Sequence, residues 1–176
     1  MSPRWTCARG VLAAALWALP LGTDASTPRF APLSAWDTAA LERARAGAVR
    51  RLAQAECQRV LSDFLDAEGR PLLANLEPWG LAPAEYLQRS VSFHDGATLP
   101  VCRRANVFLV TPPGQVAVFV CPGGGALPGS RFARVQAQDP SLAEAMVIHE
   151  MLHTLGLGEN PPSTYEITDR VVARCR

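Results

Sequence analysis

The cysteines constrain this chain more than any other feature. The 176-residue sequence has five. Cys7 falls in an N-terminal stretch that reads as a removable leader, which leaves Cys57, Cys102, Cys121 and Cys175. An even number in an exported domain predicts disulfides, and no C-x-x-C spacing offers a cysteine metal site. Cys102 precedes and Cys121 ends a pair of apolar runs that read as a hairpin, so antiparallel pairing brings them to the same end. Cys57 and Cys175 each lie on the apolar face of a predicted helix. The expected bonds are therefore Cys102–Cys121 and Cys57–Cys175.

The leader reading rests on Arg4 and Arg9, an apolar run over 11–21 broken by Pro20, and the small residues around Thr23-Asp24-Ala25. This is the pattern of a signal peptide over 1–25 with cleavage after Ala25. The run falls short of the roughly 20 residues that span a bilayer, and no other stretch is long enough. A secreted or periplasmic protein with no stable membrane anchor after cleavage is expected, folded as a single domain over 26–176 and monomeric. Apolar residues make up 48% of the chain, enough for a core of normal size. The basic residues are all arginine, and the net charge is only +1. Arg50-Arg51 and Arg103-Arg104 are short pairs rather than a basic patch, so nucleic-acid binding is not expected.

Val49, Ala53, Cys57, Val60 and Phe64 recur at helical spacing and predict one long amphipathic helix over 37–66, stopping near Gly69 and Pro71. A short helix over 83–88 and a short strand over 90–94 follow. The runs 106–110 and 115–120, joined by Thr111-Pro112-Pro113-Gly114, predict an antiparallel hairpin. A glycine-rich loop leads to a strand expected over 132–136. Asp139 and Pro140 then suit the N-cap and first position of a helix that runs to Leu155 and stops at Gly156. Ser163 and Glu166 have capping-box spacing and predict a closing helix over 164–174. The fold class is α+β: a long N-terminal helix, a small mainly antiparallel sheet, a site-bearing helix and a short C-terminal helix.

The chemistry lies in His149-Glu150-Met151-Leu152-His153. On a helix, residues four apart share a face, so both imidazoles can address one ion, and neutral imidazole suits Zn2+. Glu150 follows directly and can take a proton from a water that the metal acidifies, which then attacks a polarised carbonyl.

Residues 149–159, from this motif through Gly156 to Glu159, resemble the motif of metzincin peptidases, where a glycine turns the chain out of the helix and the third ligand comes three residues later. The likeness covers only residues 145–160. It implies Zn2+ held by His149, His153 and Glu159, where that clan has histidine or aspartate, and no methionine follows Met151 to build the clan's methionine turn. Glu166 is the competing third ligand, after the glutamate that gluzincins supply from a second helix. The implied activity is zinc-dependent hydrolysis of peptide bonds, with a protein or peptide substrate.

Tyr165 is a candidate donor to a developing oxyanion. His94, beside Asp95, is a candidate for the cleft, and the run 115–120 could accept an extended peptide at a sheet edge. Two rival readings stand: an exported zinc-binding or interaction domain without turnover, and a zinc amidase acting on cell-wall fragments. An intact Glu150 counts against the first.

Overall fold

A computed structural model describes residues 31–123 and 129–175. The leader expected over 1–25 lies outside the described residues. Among the described residues, no helix is long and apolar enough to cross a membrane. The class is α+β, as expected.

Helix α1 spans Ala35–Leu52, with the Ser34 hydroxyl accepting from the Asp37 amide at its start. It ends earlier than the predicted 37–66 helix. Gln54 is extended (φ −87°, ψ 132°), and the chain resumes as two single turns, α2 (Ala55–Gln58) and α3 (Val60–Asp63). The Gln58 side-chain amide donates to the Leu52 carbonyl and satisfies an acceptor that the broken helix would leave open. The break also moves the apolar stripe. Ala40, Leu41, Ala44, Ala48 and Leu52 are buried, whereas Ala53 is exposed. The alanines of this stripe and Gly47 let α1 pack closely on the helix over Pro140–Thr154: a Cβ at Gly47 would lie 2.0 Å from the Glu144 carboxylate.

A 3-10 stretch, Leu72–Trp79, leads to α4, Pro83–Arg89. Strands β1 (Ser92–Asp95), β2 (Leu109–Val110) and β3 (Ala117–Val120) form one sheet in the order β1-β3-β2. The expected hairpin is its antiparallel half, with Leu109 opposite Val120. The other half is parallel, with Ser92 opposite Ala117 and Asp95 opposite Val120, so the sheet is mixed. The antiparallel pairing is only two residues long, because from Thr111 onward the chain bonds instead to the helix over Pro140–Thr154, through Thr111 to Glu150 and Gly114 to His153.

The strand expected over 132–136 is instead part of helix α5, Arg131–Gln138. Ser130 caps it, and Phe132 and Gln136, one turn apart, are both buried. The Gln136 side chain accepts from Arg43 of α1 at 3.1 Å, a contact with a residue 93 positions away.

Helix α6 spans Pro140–Thr154 and begins as predicted, with Pro140 in its first turn and the Asp139 carboxylate accepting from the Leu142 amide. Helix α7 spans Thr164–Arg174, with the Ser163–Glu166 capping box formed. Both expected disulfides are present, Cys57–Cys175 and Cys102–Cys121. The first ties α7 to α2. Beside it the Arg174 guanidinium pairs with Asp63 at 2.8 Å and Glu56 at 2.7 Å. Ile148, Met151, Leu152, Leu157, Ile167 and Val171 join the α1 stripe in one core.

Candidate metal centre

His149 and His153 are buried one turn apart at the C-terminal end of α6, and their Nε2 atoms lie 3.0 Å apart. What the other ring nitrogens do decides what those atoms can be. His153 Nδ1 is 2.7 Å from the Leu157 carbonyl, to which it can only donate. In the neutral ring that leaves a lone pair on Nε2. His149 Nδ1 is 3.0 Å from the Thr168 hydroxyl, which can both donate and accept. When that hydroxyl accepts, His149 also carries its lone pair on Nε2. Two lone pairs then face each other, an arrangement that a cation between them relieves. Zn–N bonds of about 2.0–2.1 Å put two tetrahedral ligands roughly 3.3–3.4 Å apart, a few tenths of an ångström beyond the observed separation.

The turn after α6 makes this geometry possible. Gly156 takes a positive φ of 97°. Its amide donates to the His153 carbonyl and the Leu157 amide to the Leu152 carbonyl, the pair of bonds that closes a helix in a Schellman motif. Leu157 is thereby buried with its carbonyl beside His153. The Asn75 side-chain amide bonds both the Leu155 carbonyl and Asp66, which straps the turn to the segment after α3.

From this turn the chain carries Glu159 back to the histidines. One ligand atom from each of His149, His153 and Glu159 can be chosen so that all lie within 4.8 Å of one another. The Glu159 carboxylate is exposed and accepts a hydrogen bond from the Thr164 hydroxyl. Two imidazole nitrogens and a carboxylate oxygen are a donor set that fits a borderline divalent ion such as zinc.

Glu150 is buried beside this group. The Thr111 hydroxyl, just past β2, donates to its Oε2 at 2.7 Å. The Gly114 amide of the same loop donates to the His153 carbonyl at 2.8 Å, so the 111–116 segment is pinned to α6 at two points. Burial pushes the Glu150 carboxyl up to about 7, the Thr111 bond opposes that rise, and the nearby Glu159 charge adds to it. Burial lowers His149 to about 3, helped by His153, which keeps it neutral and able to ligate at physiological pH.

Glu166 is not part of the ligand group. Its carboxylate accepts from the Ser163 amide and hydroxyl, both at 2.7 Å, and these bonds hold it below the usual carboxylate range. Tyr165, in the first turn of α7, is 76% exposed. His94 sits on β1, half-buried, with its Nε2 2.9 Å from the Ser92 hydroxyl.

The three hydroxyls around the site, Thr111, Thr164 and Thr168, were not singled out in the sequence. Thr164 and Thr168 fall four apart on a helix, a spacing that could have marked them as neighbours on one face. Thr111 carries no local signal, because it reaches Glu150 across 39 residues. No protein-family model, curated protein or solved structure matches this chain.

Proposed function

We propose that this chain is an exported zinc-dependent metallopeptidase of zincin type, with His149, His153 and Glu159 as ligands and Glu150 as the catalytic base. One observation carries the reading: two imidazole Nε2 atoms converge at 3.0 Å, with a third ligand in reach and a buried carboxylate next in the chain. Zinc bound there by His149, His153 and Glu159 would supply Lewis acidity, acidifying a water and polarising a carbonyl. The chain's own part is to handle the proton. Thr111 holds Oε2 of Glu150, and Oε1 remains to take a proton from the attacking water and return it to the leaving amine. A carboxyl raised toward neutrality suits both roles. Tyr165, next to Thr164 at the start of α7, is the candidate donor to the developing oxyanion.

The substrate class is protein or peptide. Two disulfides favour an oxidising compartment, and with the leader pattern this fits secretion or the periplasm. The test is to purify the oxidised mature domain and measure its metal content alongside casein hydrolysis. About one zinc per chain is expected, with activity removed by a chelator and restored by zinc. Folded protein that takes up no zinc would sink the reading. Zinc uptake without cleavage of casein would leave a metal-holding domain or, if cell-wall material is cleaved, an amidase.

A further inference from the structure

The Nδ1 of His149 and the carboxylate of Glu159 are both held from one element. Thr164 and Thr168 lie four apart on α7 and so share a face. The Thr168 hydroxyl is 3.0 Å from His149 Nδ1, and the Thr164 hydroxyl donates to Glu159 Oε1. We propose that α7 is the outer shell of the metal centre, with Thr168 and Thr164 as the positioning residues that orient His149 and Glu159 for the ion. This rests on the zinc reading above and adds a role for residues that reading does not use.

The physical case has two parts. A threonine hydroxyl that accepts from His149 Nδ1–H puts that ring's lone pair on Nε2, where the ion must bind, and a valine side chain cannot do this. Glu159 lies on an exposed turn, where a free carboxylate would sample several rotamers. The Thr164 bond restricts it before the ion arrives. Both hydroxyls are only as well placed as α7 itself. That helix is fixed by the Cys57–Cys175 bond, by the Arg174 pairs with Asp63 and Glu56, and by buried Ile167 and Val171. Ligand orientation thus depends on a helix anchored at its far end rather than on the turn alone.

The experiment measures zinc affinity of the full oxidised chain by competition with a chromophoric chelator, for the native protein and for Thr168→Val, Thr168→Ser and Thr164→Val. The visible spectrum of the cobalt-substituted forms is recorded in parallel, and each apo protein is melted to check its fold. Thr168→Val is expected to weaken zinc binding about 10–100-fold and shift the cobalt bands, and Thr168→Ser to stay near the native value. Thr164→Val, at an exposed helix start, keeps the fold and should weaken binding by a smaller factor. Should Thr168→Val fail to fold, Thr168→Ala is read in its place. Native protein that binds zinc while the valine variants bind within about twofold of it would overturn this inference and leave the zinc reading standing. Native protein that binds none would overturn both.

Discussion

The Thr111 hydroxyl donates to Glu150 Oε2 at 2.7 Å, and both side chains are buried. A buried carboxylate that loses its donor keeps its desolvation cost, so this contact matters more than a surface hydrogen bond would. Thr111→Val should lower kcat/KM by roughly tenfold, from a loss on the order of 1–2 kcal/mol. The contact holds the carboxyl down, so its removal should also move the acid limb of the pH–rate profile to higher pH. Thr111→Ser should restore both. An unchanged profile in the valine variant would remove Thr111 from the mechanism.

Glu150→Gln separates chemistry from stability. Glutamine can still accept from Thr111 but cannot take a proton, so zinc content should hold while turnover falls by roughly 10^2–10^4. In metal-free protein the same change has a pH signature. A carboxyl raised from 4.5 to about 7 binds its proton more tightly in the folded state. Its contribution is favourable at low pH and is lost as pH rises from about 4.5 through 7. The glutamine variant escapes that loss. It should be more stable by roughly 3–4 kcal/mol at pH 8 and no more stable below pH 4.5, as read from urea melts across the range.

Gly156 tests the turn. An added Cβ would meet Asp66 and Asn75 at 3.4 and 3.6 Å, ordinary contact distances, so space is not the obstacle. The obstacle is the φ of 97°, which an L side chain rarely adopts. Gly156→Ala should cost about 1–2 kcal/mol in stability. It should also weaken zinc binding, because the Leu157 carbonyl and Glu159 both follow from this turn. Equal zinc affinity with reduced stability would show that the two are independent.

Glu159 and Glu166 can be told apart by one pair of variants. Glu159→Ala removes the proposed third ligand and should weaken zinc binding by more than the roughly 10–100-fold that losing an outer partner costs. Glu166→Ala removes the capping-box partner of Ser163. It should lower the melting temperature by a few degrees, on the order expected for a lost cap, and leave zinc affinity unchanged. The reverse ranking would move the third ligand to α7.

What could be read in the one-dimensional chain was local. Asp139 with Pro140, Gly156, and Ser163 with Glu166 mark helix ends because the caps they make involve residues within three or four positions. The histidine pair was legible for the same reason, since helical geometry alone puts residues 149 and 153 on one face. The disulfide partners followed from matching faces and ends. The break after Leu52 did not, because Ala53-Gln54 carries neither glycine nor proline, and the kink is held by Gln58 and by the Cys57–Cys175 bond. Nor did helix α5: a short run such as 131–138 has no decisive period, and Gln136 is fixed there by Arg43. The parallel partner of β3 was hidden likewise, since β1 meets it from 25 residues away, Ser92 against Ala117.

The centre itself divides along the same line. Sequence alone determined that two imidazoles share a helix face beside a carboxylate, with two candidate glutamates downstream, because residue type and helical spacing carry that information. Tertiary structure decided which nitrogen of each ring faces inward, which glutamate comes within reach, and how strongly Glu150 holds its proton. Each of those depends on a partner brought in by packing: the Leu157 carbonyl after a left-handed turn, Thr164 and Thr168 on α7, and Thr111 from the loop beyond β2.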